Sequence, residues 1–189
     1  MMKRKEKGSY GYIRQQQIYT ILRTVLLFTL ALGLYAIGYV TTGTNKNLLT
    51  IIAILGILPG AKSMVNMIMF LRFRSISADA YERYEATGGG SHVLYENILT
   101  TTQQAYFLPA IFCKNHTVCS FCEKAGELKA LEDQITETLK QEKIEATVRI
   151  FPDERLFIKR LQEMTGLQAV QNDENDREEI YKIIKAMSL

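Results

Sequence analysis

Ile18–Val40 reads IYTILRTVLLFTLALGLYAIGYV, 23 residues in which Arg23 is the single charge. A helix needs about 20 such residues to cross about 30 Å of hydrocarbon. Arg23 lies toward the basic end of the run, where its stem can stay in lipid while the guanidinium reaches the headgroups. A cleaved signal peptide also starts with basic residues, but its apolar region is shorter and a small-residue cleavage pattern follows it. No such pattern stands out before the next apolar run, so the stretch reads as a retained membrane span.

The next run is Leu48–Leu71, LLTIIAILGILPGAKSMVNMIMFL. Pro59-Gly60 is expected to kink or loosen the helix, because proline removes one backbone hydrogen bond. Lys62 lies nine residues before Leu71, or about 13 Å of helix at about 1.5 Å per residue. Its ammonium either snorkels toward the headgroups or meets a partner within the membrane. Snorkelling is favoured, since neither span offers an acidic partner. Five basic residues precede the first span, Arg72 and Arg74 follow the second, and the loop Thr41–Asn47 carries only Lys46. By the positive-inside tendency both termini face the cytoplasm. The expected location is the cell membrane, as a two-pass protein.

Outward from this hairpin the charge changes sign. Residues 1–75 hold ten basic side chains against one acid, +9, and the rest hold thirteen against nineteen, −6. The formal +3 of the 189-residue chain hides that division. An acidic soluble part argues against a nucleic-acid partner, since duplex binding leans on Lys and Arg neutralising phosphates. The expected organisation is a basic cytosolic tail over 1–17, a two-helix transmembrane hairpin over 18–71, a connector over 72–91 and a small cytosolic α/β domain over 92–189. Lys3, Arg4, Lys5, Lys7, Arg72 and Arg74 are the candidate membrane-surface residues, a basic collar worth about 1 kcal/mol per residue on an anionic leaflet. The −6 domain would be held off that leaflet by the connector.

The soluble part predicts the order α-β-β-β-α-β-α-α. Ser75–Glu85 reads as a short polar helix or connector, and Thr87-Gly-Gly-Gly-Ser91 as a loop. Those glycines resemble a phosphate-binding loop, but no Gly-Lys-Ser/Thr follows, which favours a linker. Strands are expected over Val93–Thr101, Ala105–Phe112, Thr117–Glu123 and Ala146–Phe151. Pro109 restricts the second of these to an edge or a bulge. A helix over Glu127–Glu142 carries the stripe Leu128, Leu131, Ile135 and Leu139. Another follows Pro152-Asp153, with Leu156, Phe157, Leu161 and Met164 facing inward and Gly166 past its end. Gln168–Asp176 is polar and reads as mobile. Asn175 with Glu178 is a capping signature for a last helix, lined by Ile180, Ile183, Ile184 and Met187.

The stretch CKNHTVCSFC, 113–122, places Cys113, His116, Cys119 and Cys122 at a constant spacing of three. These are the candidate metal ligands. Alternation along a strand sends Cys119 and Cys122 to opposite faces. Zinc sites set Cys-x-x-Cys on a tight turn and add a second ligand pair farther along the chain. Here no second pair follows, a cytosolic setting removes the case for a disulfide, and a thioredoxin-like motif would open a helix. The expectation is packed thiols, with no metal and no cofactor.

The order α-β-β-β-α-β over about His92 to Pro152 resembles the restriction-endonuclease-like core, in particular nuclease-related domains tethered to bacterial membranes. That resemblance implies a divalent-metal site built from an Asp near one strand end and a Glu-x-Lys on the next. Tyr106–Cys113 is apolar there, and Glu127-Leu-Lys129, the domain's one Glu-x-Lys, opens a helix. Glu123 and Lys124 are adjacent and project to opposite faces. The resemblance therefore implies the fold without its metal site. The chain as a whole resembles uncharacterised two-pass membrane proteins of Gram-positive bacteria. His92 and His116 are the available imidazole bases, and nothing in the sequence brings either beside a cysteine nucleophile. Two functions are weighed: a membrane-anchored cytosolic binding or scaffold module without catalysis, its partners the bilayer and a protein or second copy; or, as the alternative, a membrane-tethered nuclease-like hydrolase. The first is favoured because the strands lack the acids that a metal nuclease needs.

Overall fold

A computed structural model describes residues 5–44, 46–88, 93–101, 104–123, 128–167 and 173–189. The chain forms two compact units, Ile13–Arg74 and, separately, Met1–Tyr12 with Ser75–Leu189. Of the expected Thr87–Ser91 loop, Thr87 and Gly88 belong to a helix and the rest lies outside the described residues, as do His92, Lys124, Glu127 and the basic residues Lys3 and Arg4.

The first unit is a pair of long helices, α1 (Tyr12–Thr42) and α2 (Leu48–Leu71). At about 1.5 Å per residue they run about 46 and 36 Å, and both exceed the thickness of a hydrocarbon layer. Small residues let them approach. Gly60 faces the Phe28 ring, and Gly56 sits across from Ala31. Thr24 and Ser63 hydroxyls meet at 2.8 Å, buried from solvent. Asn47 caps α2 by accepting from the Thr50 amide at 2.8 Å, and its own amide donates to Thr42 and to the Thr44 carbonyl. That turn presses on Gly38, where a Cβ would lie 2.7 Å from Asn47 Oδ1. Helix α2 continues through Pro59, where the sequence suggested a kink or loosening; Gly60 beside it is buried in the helix contact.

The second unit contains α3 (Ala78–Gly88), β1 (Val93–Thr100), β2 (Ala105–Lys114), β3 (Thr117–Phe121), α4 (Leu128–Gln141), β4 (Thr147–Phe151), α5 (Glu154–Thr165) and α6 (Asp173–Met187). The sheet order is β1-β2-β3-β4. The first three strands form an antiparallel meander, and β4 runs parallel to β3 after the α4 crossover. Asn115 and His116 both hold positive φ, +49° and +55°, as a type I′ hairpin turn requires. Helices cover both faces. Leu131, Ile135 and Leu139 of α4 pack with Ile180 and Ile184 of α6 on one side. Tyr84 of α3 packs with Phe157, Leu161 and Met164 of α5 on the other.

Two expectations are corrected here. Of the edge or bulge that Pro109 suggests, the edge is overturned, because β2 is an interior strand between β1 and β3. The ladder accommodates it because Glu96, which stands opposite in register, turns to φ +54° and the pair drops out of the β1–β2 bonding. Both strands change facing there: Leu108 packs toward α4 and α6, whereas Ala110 packs toward α3 and α5. Helix α6 starts at Asp173, two residues before the expected cap at Asn175. Of the two readings of Ser75–Glu85, a short helix or a connector, the helix is present as α3, and its Ala80 and Tyr84 are buried in the core.

Candidate functional site

The cysteine hairpin is set by β2, the Asn115-His116 turn and β3. Strand alternation sends Cys119 toward α5, with its Sγ 3.3 Å from Met164 Sδ, and Cys122 toward α4 with Cys113. All three cysteines are buried, and none is in a disulfide among the described residues. The Cys113 amide donates to the Tyr181 hydroxyl at 3.0 Å. Burial pushes the Cys119 thiol up, against the downward pull of Arg160, so this sulfur stays protonated and behaves as a small apolar group. His116 sits apart at the turn, its Nε2 3.4 Å from Asp176 Oδ2. Among the described residues no three His, Cys, Asp or Glu side chains converge as metal ligands. What the arrangement does chemically is fill both faces of the sheet.

The basic collar is drawn partly into the folded unit. Lys5 Nζ donates to the Tyr10 carbonyl at 2.6 Å, and Lys7 Nζ donates to the Ser188 carbonyl at 2.6 Å. Arg72 and Arg74 remain exposed.

The polar constellation that sequence reasoning missed is at Glu96. This side chain is 2% exposed. Its Oε1 accepts from the Gly11 amide at 3.0 Å, the Ile76 amide at 3.2 Å and the Ser75 hydroxyl. Gly11 immediately precedes α1, and Ser75 and Ile76 follow α2 within a few residues. One carboxylate thus binds the chain just before and just after the apolar helices. A second β1 bond holds the same segment, from the Tyr95 amide to the Gly8 carbonyl at 2.8 Å. Such multiple donation is what makes a buried carboxylate tolerable. No sequence pattern announces it, because the donors lie 85 and about 20 residues away.

A third polar group joins α3 to α5. Glu154 Oε1 accepts from Arg83 at 2.9 Å and from the Tyr84 hydroxyl at 2.8 Å. Burial pushes the Glu154 carboxyl up, but Arg83 and Tyr84 outweigh it and hold it below the usual range.

Cavities complete the inventory. One of about 520 Å³ opens beside α6, where Arg177, Lys182 and Lys185 alternate with Glu174 and Glu178, so neither sign of charge dominates. A smaller one lies among tyrosines of the N-terminal segment, α3 and β1. In comparisons with family models, curated proteins and solved structures, the chain matches none.

Proposed function

We propose that the chain is a two-pass membrane protein whose helical hairpin anchors a cytosolic binding or scaffold module that has no catalysis of its own. The observation that carries this reading is the inverted burial of the hairpin. Leu22, Leu26, Leu58 and Val65 are each more than half exposed while Thr24 and Ser63 are buried between the helices. In water that arrangement is costly; in lipid the exposed side chains are solvated and the buried hydroxyls pair. Charge supports the orientation with both termini cytoplasmic, leaving the short loop outside. The Glu96 bonds support a module fastened at both cytoplasmic ends of the hairpin. For the module itself, strands β2 and β3 carry no Asp or Glu, and helices cover both sheet faces, which favours binding through the outer helical surface by a protein or a second copy.

The test uses the full chain with its native cysteines replaced. In intact cells an impermeant maleimide is expected to label Thr44→Cys and leave Ala186→Cys untouched. The reverse pattern overturns the orientation, and release of the chain from membranes by alkaline carbonate overturns the anchoring. Metal-dependent cleavage of DNA or RNA by the purified full-length protein would establish the hydrolase instead.

A further inference from the structure

The smaller cavity has about 260 Å³ and is walled by Tyr10, Tyr81 and Tyr95, with Glu85 in its lining. The rings come from three separate elements, so the fold assembles them. Tyr10 and Tyr81 stack at 4.4 Å, and Tyr95 meets Tyr81 edge-on at 4.9 Å. The Tyr95 hydroxyl donates to Glu85. Burial and the Glu85 charge raise both phenols above their ordinary value, so they remain neutral donors. Among the described residues no Lys, Arg or His pairs with Glu85. An aromatic clasp holding the N-terminal segment to α3 and β1 explains the stacking. It does not explain why a carboxylate with no cation partner among the described residues stands at an aromatic wall.

Ring faces carry negative potential and attract cations within about 6 Å of the centroid. This wall already does so, since the Lys5 ammonium lies 5.5 Å from the Tyr10 centroid. The cavity is smaller than the roughly 300–1,000 Å³ of sites for drug-sized ligands, so its occupant is small. A primary ammonium brings three N–H donors that need acceptors, and here the Tyr95 phenol already donates into the one carboxylate. A methylated ammonium makes no such demand. We propose that the cavity formed by Tyr10, Tyr81, Tyr95 and Glu85 binds a quaternary methylammonium group. The group is carried either by a free solute or by a lipid headgroup.

The experiment is calorimetric titration of the full chain in dodecyl maltoside with choline, and in parallel with 3,3-dimethylbutanol, its uncharged isostere. Choline is expected to bind at least tenfold more tightly than the isostere. Tyr81→Ala and Glu85→Gln should each weaken choline at least tenfold, and Tyr81→Phe, which keeps the ring, should retain most of the affinity. Tyr81 and Glu85 are only partly buried, and circular dichroism confirms that each variant is folded. Repeating the titration in nanodiscs separates the sources. Choline binding blocked by phosphatidylcholine but not by phosphatidylglycerol assigns a headgroup, and binding indifferent to lipid assigns a free solute. Equal binding of the isostere, no binding of choline, or full affinity in folded Tyr81→Ala and Glu85→Gln proteins overturns the site. The detergent titration is independent of whether the hairpin spans a membrane.

Discussion

Leu26 in the hairpin is 64% exposed, and Leu161 in the folded unit is fully buried. The hydroxyls behave in the opposite sense: Thr24 and Ser63 are hidden between α1 and α2, 5% and 4% exposed. In the folded unit apolar side chains instead fill two layers against the sheet. On the proposed reading, the two regions share one chemistry and differ in the solvent each is built for. Packing between the long helices includes close approach at Gly56 and Gly60, the Thr24–Ser63 hydroxyl pair and a Gln17 bond to the Phe70 carbonyl, as that reading expects where lipid removes the hydrophobic gain of helix association. Packing in the folded unit rests on removing Leu, Ile and Phe from water.

The strongest way to break the comparison is one substitution made in both regions. Leu161→Ala leaves a cavity among Tyr84, Phe157 and Met164 and should cost about 2–5 kcal/mol, a large part of a typical domain's stability. Leu26→Ala, in detergent, should leave the denaturation midpoint of the folded unit unchanged. Chemical denaturation followed by circular dichroism measures both. A large loss from Leu26→Ala would mean that this side chain is packed against protein, and the solvent contrast would fail.

A smaller effect is expected at the segments where one region gives way to the other. Glu96→Ala leaves the Gly11 and Ile76 amides and the Ser75 hydroxyl without their acceptor, at about 1–3 kcal/mol for a buried group left unpaired. Hydrogen exchange should quicken at Gly11 and Ile76 and stay unchanged at Val118 in β3. Glu96→Gln, which keeps an acceptor oxygen, should fall between. Unchanged exchange at Gly11 and Ile76 in the alanine variant would remove Glu96 from this role.

Legibility in the sequence divides along the same line. Two long apolar helices followed by a small α/β domain can be read from hydropathy and periodicity, because each signal is local. The stripe Leu131, Ile135, Leu139 and the alternation through Thr117–Cys122 are local too, and the side chains point accordingly. The position of β2 inside the sheet is not local. Pro109 suggests an edge or a bulge, and only the register, with Glu96 opposite it at positive φ, places it inside the sheet. The tail holds bonds that no local pattern announces: the ammonium groups of Lys5 and Lys7, read as part of a basic collar, also bond to backbone carbonyls of the folded unit. The tyrosine cavity joins residues from both ends of the hairpin, and nothing in the spacing of Tyr10, Tyr81 and Tyr95 connects them.

Acid sharpens the contrast with the smallest effect, since no Asp or Glu lies between Glu6 and Asp79. Carboxylate titration therefore acts on the folded unit and spares the hairpin. Glu154 reports it: Arg83 and Tyr84 hold its carboxyl below the usual range despite the upward push of burial. A carboxyl whose folded pKa lies below the unfolded value of about 4.3 stabilises the fold above that value. The contribution is lost as pH falls through the lower, folded pKa. The Glu154 side chain is 30% exposed and Arg83 is 54% exposed, so solvent screens the pair and about 0.2–1 kcal/mol is expected. Glu154→Gln should lower the melting temperature by a few degrees at most at pH 7, and the gap should close below about pH 4 as the wild-type carboxyl protonates. Thermal melts at pH 7, 5 and 3.5 decide it. A gap that stays constant across that range would mean that Glu154 acts through packing and hydrogen-bond geometry, with no share from its charge.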